Sequence, residues 1–132
     1  MSRTLVVDAS VAVDLLGRFR AGPLEALLWQ PDSLMVAPEL LEVEVLNALR
    51  RLERLGAIPA SRSPELPEQL RGLRIRKYRH DLLLDGIWSL RLNLTAYDAA
   101  YVALARLLKV PLVTRDSKLA RAPGLDIEVL TP

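Results

Sequence analysis

Short, uninterrupted apolar segments alternate with helical segments along this chain of 132 residues, and this alternation limits its fold more than any other feature. The apolar segments show no polar alternation, which is typical of strands that are buried on both faces. Strands of this kind belong to parallel sheets that are covered by helices on both sides. The sequence therefore predicts a three-layer α/β/α protein with strands at residues 4–8, 34–37, 111–114 and 127–130.

The helical segments are predicted from apolar residues that recur three and four positions apart. The strongest helix covers residues 39–55, is opened by Pro38 and ends before Gly56, a residue type suited to the left-handed position after a helix. Thr95 is a favoured N-cap for a nearly all-apolar helix at residues 96–109. Further helices are predicted at residues 10–18, 23–29, 65–73, 81–92 and 116–121. The densest basic run, residues 71–80, is interpreted as a solvated helix face or loop.

Length and composition favour one domain over residues 1–132 in a cytoplasmic protein. The absence of cysteine excludes disulfides and thiolate metal sites. No apolar run approaches the roughly 20 residues of a membrane-spanning helix, so no membrane association is expected. The six glycines form no phosphate-binding loop, and the one histidine, His80, has no candidate partner for a hydrolase triad.

Two carboxylates stand directly after predicted strands. Asp8 follows the strand LVV, and Asp116 follows the strand PLVT after one residue. Ligands of open parallel sheets bind beyond the carboxyl ends of the strands, near the point where the strand order reverses. Asp is also a favoured helix N-cap, so each acid could have a purely structural role. Position alone leaves both interpretations open.

Two further acids could share a site with Asp8 and Asp116. Asp98 stands three residues after Thr95 and completes a capping box, which is its simpler interpretation. Glu44 falls inside the apolar arc of its helix, where it needs either Arg51 or a shared cation as a partner. Four carboxylates in one pocket repel one another unless a cation neutralises them. Ligation by oxygen alone favours Mg²⁺ or Mn²⁺, and such sites commonly act on phosphate esters.

The chain resembles PIN-domain proteins of the VapC toxin type in four segments, which occur in that family's order: LVVDASVAVDLL, APELLEVEVLNALRR, NLTAYDAAYVALA and PLVTRDSKLA. The resemblance implies a central, mainly parallel sheet of five strands. The family's acidic quartet falls on Asp8, Glu44, Asp98 and Asp116. Its accompanying hydroxyl groups fall on Ser10 and Thr114. Residues 57–92 match more loosely, and no functional residue is carried over there.

This resemblance implies a Mg²⁺-dependent endoribonuclease that is the toxin of a type II toxin–antitoxin module, with Mn²⁺ as a possible substitute. Asp8 and Asp98 would hold the metal most directly, and Asp116 and Glu44 would complete the site. The implied partners are the RNA substrate, an antitoxin of the VapB type and a second copy of the chain in a homodimer. The alternative is a catalytically silent PIN-like binding protein whose acids serve only as helix caps.

The locations of several residues outside the acidic quartet are also predicted. Trp29 and Leu28 are expected to line an antitoxin groove between the second short helix and the long helix, although Trp29 could instead close one end of the core. Tyr97 and Tyr101 are expected to be core residues. Surface positions are expected for the remaining acids considered, Asp14, Asp81 and Asp85.

Overall fold

Five parallel strands form the central sheet of the protein. The structure is a computed structural model that describes residues 3–132, so the first two residues of the predicted 1–132 domain lie outside it. The strands are adjacent in the order β3-β2-β1-β4-β5, and every neighbouring pair is parallel. Their bounds are β1 Arg3–Val7, β2 Ser33–Pro38, β3 Arg76–Tyr78, β4 Leu112–Val113 and β5 Val129–Leu130. The predicted α/β class with a five-stranded parallel sheet is confirmed.

Helices connect the strands. The α-helices of the described residues are α1 Ala9–Gly17, α2 Gly22–Leu28, α3 Leu40–Arg54, α4 Leu66–Gly72, α5 Leu84–Ser89, α6 Ala96–Leu108 and α7 Ser117–Ala120. Short 3₁₀ helices at Ala60–Glu65 and His80–Leu83 precede α4 and α5. Within residues 3–132, no helix combines the length and the apolar character that crossing a membrane requires.

The strand order determines which helices share a face of the sheet. The chain moves from β1 through β2 to β3 in one direction, and from β3 through β4 to β5 in the other. Because crossovers between parallel strands are right-handed, the two sets of helices lie on opposite faces. Contacts of α1 with α2, α3 and α4, and of α6 with α5, agree with this division. The carboxyl ends of β1 and β4 meet at the point where the direction reverses.

Both ends of the long helix α3 have identifiable local causes. The chain leaves α3 through Leu55, and Gly56 follows with φ +79°, as the sequence predicted. At the other end, Pro38 is the last residue of β2 and does not open the helix. The Leu40 N–H donates a hydrogen bond to Nε2 of His80 at 2.9 Å. His80 therefore caps α3 from a distant part of the chain.

The interpretation of residues 71–80 as a helix face or loop was wrong at its centre, where Arg76–Tyr78 forms the edge strand β3. Two of its three side chains are exposed, so the strand has no apolar pattern that would reveal it. Lys77 pairs with Glu42 of α3 at 3.4 Å, and a charged edge of this kind discourages pairing with another sheet. The helix predicted at residues 81–92 is also shorter, because it ends at Ser89.

Close packing of α5 on α6 depends on Gly86. A Cβ atom at this position would lie 2.9 Å from Cβ of Ala103 on α6. We expect Gly86→Val to reduce the free energy of unfolding by about 1–3 kcal/mol, because backbone must move to admit the side chain. Gly72→Val at the end of α4 is the matched control, since a Cβ there meets nothing within 4 Å. Urea unfolding of both variants measures the effect, and equal stabilities would contradict this packing.

Candidate active site

Asp8 lies at the centre of the candidate site, at the carboxyl end of β1. It is 6% exposed, and its N–H donates to the carbonyl of Val113 on the neighbouring strand β4 at 3.3 Å. Oδ1 accepts hydrogen bonds from Ser10 Oγ at 2.5 Å and from the Val11 N–H at 3.2 Å. The hydroxyl of the buried Thr114 donates to Oδ2. Asp8 therefore caps α1 and also connects β1 to the end of β4.

Burial makes the Asp8 carboxylate unusual. The loss of hydration raises its pKa from 3.8 to about 6, although the hydrogen bonds from Ser10, Thr114 and Val11 oppose this shift. The negative charge of Asp98 raises the pKa further. A carboxylate in this state gains from a cation, because a nearby positive charge favours the ionised form.

Asp116 begins α7 beyond the end of β4. Its N–H donates to Oγ1 of Thr114 at 3.0 Å, and its Oδ1 accepts from the N–H groups of Lys118 at 2.9 Å and Leu119 at 3.4 Å. The predicted capping role of Asp116 is therefore present. The side chain is exposed. Thr114 contacts both acids, since it donates to Asp8 and accepts from Asp116.

Asp98 lies in the first turn of α6, where Thr95 is the N-cap. The Asp98 N–H donates to Oγ1 of Thr95 at 3.2 Å. Within residues 3–132 the Asp98 carboxylate makes no return hydrogen bond to Thr95, so only half of the predicted capping box forms. Partial burial raises the pKa of Asp98, and the charge of Asp116 raises it further. Its carboxylate is thus partly desolvated and close to another acid.

Glu44 lies on α3 and is half-buried, as its place in the apolar arc predicted. Arg51 is exposed, and among residues 3–132 no cation pairs with Glu44; instead, Tyr101 on α6 donates its hydroxyl to Oε1 at 2.5 Å. Burial raises the pKa of Glu44, the Tyr101 hydrogen bond lowers it, and Asp98 raises it again. Burial and the adjacent Glu44 raise the pKa of Tyr101 well above its ordinary value, so the phenol remains a donor.

The structure thus brings all four predicted acids into one electrostatic neighbourhood at the carboxyl edge of the sheet. The negative charge of Asp98 raises the pKa values of Asp8 and Glu44, and that of Asp116 raises the pKa of Asp98. Among residues 3–132, however, no three acidic or histidine side chains stand close enough together to form a ready-made ligand set. The site is therefore a group of mutually repelling oxygen donors from β1, α3, α6 and the start of α7.

Sequence reasoning missed an ion pair beside this group. Asp14 was expected at the surface, but its side chain is only 20% exposed and accepts from Nη1 of Arg115 at 3.3 Å. The Arg115 side chain is 8% exposed, and its Nη2 donates to the carbonyl of Arg20 at 2.7 Å. The sequence signal that could have placed Asp14 beside the site is its spacing from Ser10. Four residues separate the two, so they lie one turn apart on the same face of α1.

The aromatic predictions were partly wrong. Trp29 is 55% exposed, so it does not close the core, whereas Leu28 is buried. The groove beside Trp29 runs along β2 and the end of α4, and not along the long helix α3. Tyr101 is a core residue as predicted, but Tyr97 is 66% exposed. Asp81 and Asp85 lie on the surface, as expected.

Comparisons with known proteins agree on one family. The family model described as PIN domain matches residues 5–125. The chain is 42% identical to Ribonuclease VapC1 of Mycobacterium tuberculosis over 125 residues, which cover 94% of each chain. Among solved structures, it resembles a toxin–antitoxin complex from Klebsiella pneumoniae, with a TM-score of 0.64, 18% identity and 97% of each chain covered. It also resembles M. tuberculosis VapC20, a sarcin–ricin loop cleaving toxin, with a TM-score of 0.63, 14% identity and coverage of 88% and 92%.

The raised pKa of Asp8 predicts how the free energy of unfolding depends on pH. Because the folded protein holds the Asp8 proton more tightly than the unfolded chain, the metal-free protein loses stability as pH rises from about 4 to about 6. This loss amounts to about 3 kcal/mol for Asp8 alone. We expect Asp8→Asn to be more stable than the parent at pH 7 and to lose that advantage near pH 4. Urea unfolding in a chelator at both pH values measures the difference.

Asp85→Asn is the control for this experiment, because Asp85 is an exposed acid on α5. It shows what the loss of one exposed carboxylate does under the same conditions, so the change attributed to burial is the part seen only with Asp8→Asn. If Asp8→Asn lowered stability equally at pH 4 and pH 7, burial of the Asp8 charge would not carry the cost described above.

Proposed function

Because the chain belongs to the PIN-domain family, in its VapC branch, we propose that it is an endoribonuclease toxin that hydrolyses RNA with the help of Mg²⁺. The observation that carries the proposal is the buried Asp8 carboxylate, which Ser10 and Thr114 hold by hydrogen bonds and whose pKa the negative charge of Asp98 raises further. Acids so arranged at the carboxyl edge of a parallel sheet suit the hydrolysis of a phosphodiester. The fragments should carry a 5′-phosphate and a 3′-hydroxyl.

The donor set fits a hard divalent cation. All four candidate ligands are carboxylates, and Mg²⁺ and Mn²⁺ prefer oxygen ligands. The pKa values of Asp8, Glu44 and Asp98 are raised by burial and by the neighbouring negative charge of Asp98 or Asp116, a repulsion that a cation would relieve. When bound, the ion would supply Lewis-acid chemistry, activating a water and stabilising the leaving oxygen.

The remaining roles belong to side chains of this chain. Asp8 and Asp98 would bind the cation most directly, and Asp116 and Glu44 would complete the ligand set or orient the attacking water. Ser10 and Thr114 donate to the two oxygens of Asp8 and so restrict the rotation of its carboxylate. Tyr101 restricts Glu44 in the same way. Each of these donors leaves lone pairs of the carboxylates available to a cation or a water.

A second candidate function is regulatory binding without catalysis. It is favoured by the observation that Asp8 and Asp116 both cap helices, and that residues 3–132 hold no ready-made set of three ligands. Binding of Mn²⁺ separates the two functions. A nuclease requires the cation, whereas acids that serve only as caps have no need of it.

Asp98→Asn tests the proposed nuclease directly. The amide preserves the shape of the side chain, and the Thr95 cap on α6 is unaffected because it uses the backbone N–H of residue 98. We expect RNA cleavage in Mg²⁺ to fall at least about 100-fold, since removing a catalytic group costs about this much. The melting temperature should change little. Incubation of the purified protein with total RNA, followed by mapping of fragment ends, measures cleavage.

Asp85→Asn is the matched control, because Asp85 is also an acid in the first turn of a helix. This variant should cut RNA at the parental rate, and a chelator should stop cleavage by both proteins. Full activity of Asp98→Asn combined with a large loss of stability would make Asp98 a structural residue. Cleavage by the parent that persists in the chelator would contradict the requirement for a metal.

We further propose that an antitoxin of the VapB type binds this protein. Support comes from the 42% identity to Ribonuclease VapC1 and from a solved toxin–antitoxin complex whose fold this chain shares. The acidic site suggests how inhibition would work. An Arg or Lys of the antitoxin could enter it and replace the charge of the cation, and such charge-assisted hydrogen bonds are among the stronger ones.

Self-association into a homodimer is the last part of the proposal. Five exposed large apolar side chains are concentrated in one segment of the chain: Leu82, Leu84, Trp88, Leu92 and Tyr97.

Light scattering at tens of micromolar should give twice the chain mass of 14.7 kDa. We expect Trp88→Glu to give monomers, because a charge in an apolar interface lacks a partner. Trp29→Glu, at another exposed tryptophan, should remain dimeric, and a monomeric parent would contradict the homodimer.

A further inference from the structure

Arg115 connects the turn at residues 114–116 to helix α1 at two points. Its backbone N–H donates to Oγ of Ser10 at 2.9 Å. Its guanidinium donates to Oδ2 of Asp14 at 3.3 Å and to the carbonyl of Arg20 at 2.7 Å. Ser10 and Asp14 lie one turn apart on the same face of α1. One residue of the turn is therefore attached to α1 through both its backbone and its side chain, and also to the loop that follows α1.

These contacts lead directly to the carboxylate site. Ser10, which accepts from the Arg115 N–H, donates its own hydroxyl to Oδ1 of Asp8. The two residues that flank Arg115 are Thr114, which donates to Oδ2 of Asp8, and Asp116. Movement of the turn relative to α1 would therefore shift Thr114 and Asp116 relative to Asp8 and would break the hydrogen bond from the Arg115 N–H to Ser10.

Stability alone does not explain the pair. Buried ion pairs are often no more stabilising than apolar side chains of the same volume, because both charges lose their hydration. This pair is also incompletely satisfied, since Nε of Arg115 is buried without a hydrogen-bond partner among residues 3–132. A directional, multidentate guanidinium fixes geometry in a way that apolar packing does not. The arrangement therefore favours a role in the placement of the turn.

We propose that Asp14 and Arg115 are positioning residues, which hold Ser10, Thr114 and Asp116 in the geometry that binds the metal ion around Asp8. This inference rests on the proposed function and adds to it a pair outside the acidic quartet. Groups that orient the ligands of a metal typically affect metal affinity or activity 10- to 100-fold when mutated. Loss of the pair should weaken both by this factor, without a change in KM for RNA.

A double-mutant cycle tests the pair as a unit. The variants are Asp14→Asn, Arg115→Gln and the two combined, and calorimetry with Mn²⁺ as the probe measures the dissociation constant. Each single change should weaken Mn²⁺ binding about 10- to 100-fold, and the combined variant should be no weaker than the singles, because either change alone breaks the same contact. The kcat for RNA should follow the same order. Melting temperatures define the range in which every variant is folded.

The matched control is the exposed ion pair of Arg79 and Asp81, whose N···O distance is 2.8 Å. Arg79→Gln, Asp81→Asn and their combination should leave Mn²⁺ affinity and kcat at the parental values. If a change at Asp14 prevents folding, Arg115→Lys replaces it. That variant keeps the positive charge, but one ammonium cannot reproduce the fork that reaches Asp14 and the Arg20 carbonyl.

The outcomes distinguish failure of this inference from failure of the proposed nuclease. Parental Mn²⁺ affinity and kcat in the folded variants, with only a lower melting temperature, would make the pair purely structural and overturn the inference. If the parent binds Mn²⁺ but does not cut RNA, the nuclease proposal fails while the Mn²⁺ affinities still decide the role of the pair. A parent that binds no Mn²⁺ overturns both.

Discussion

The buried carboxylate of Asp8 is the constraint on which the site depends. It lies where β1 and β4 meet, at the reversal of the strand order, and is removed from water on nearly all sides. An ionised group in this position requires strong hydrogen bonds, which Ser10 supplies from α1 and Thr114 from the end of β4. These donors only partly offset the loss of hydration, because the pKa of Asp8 stays raised. The fold thus retains an unfavourable charge at the edge of its core.

Elements on both faces of the sheet contribute to the surroundings of that charge. Helix α3 on one face carries Glu44, and helix α6 on the other carries Asp98 and Tyr101. The hydrogen bond from Tyr101 to Glu44 joins the two helices around the end of the sheet. Since both helices are anchored by apolar side chains in the core, the acids cannot separate freely to reduce their repulsion. This mutual repulsion is what a bound cation would relieve.

The sequence predicts elements well where local patterns agree with tertiary burial. The strand before Asp8, the Thr95 cap of α6 and the end of α3 at Gly56 follow from residue types in adjacent positions. Strand β3 could not be predicted in this way, because it is three residues long, lies at the edge and exposes charged side chains. The cap of α3 by His80 joins residues 40 positions apart, beyond the reach of any local pattern.

In the site as well, adjacent residues predict some features, whereas others depend on contacts between distant parts of the chain. Asp8 and Asp116 were ambiguous between capping and chemistry because the two roles use different parts of one carboxylate. Oδ1 of Asp116 accepts from the N–H groups that begin α7, while its Oδ2 makes no hydrogen bond among the described residues. A cap uses an oxygen to fix the orientation of the side chain, and that same restriction presents the other oxygen in a defined direction. At Asp116, capping is therefore compatible with the proposed metal binding, whereas at Asp8 both oxygens already accept hydrogen bonds and a cation would use their remaining lone pairs.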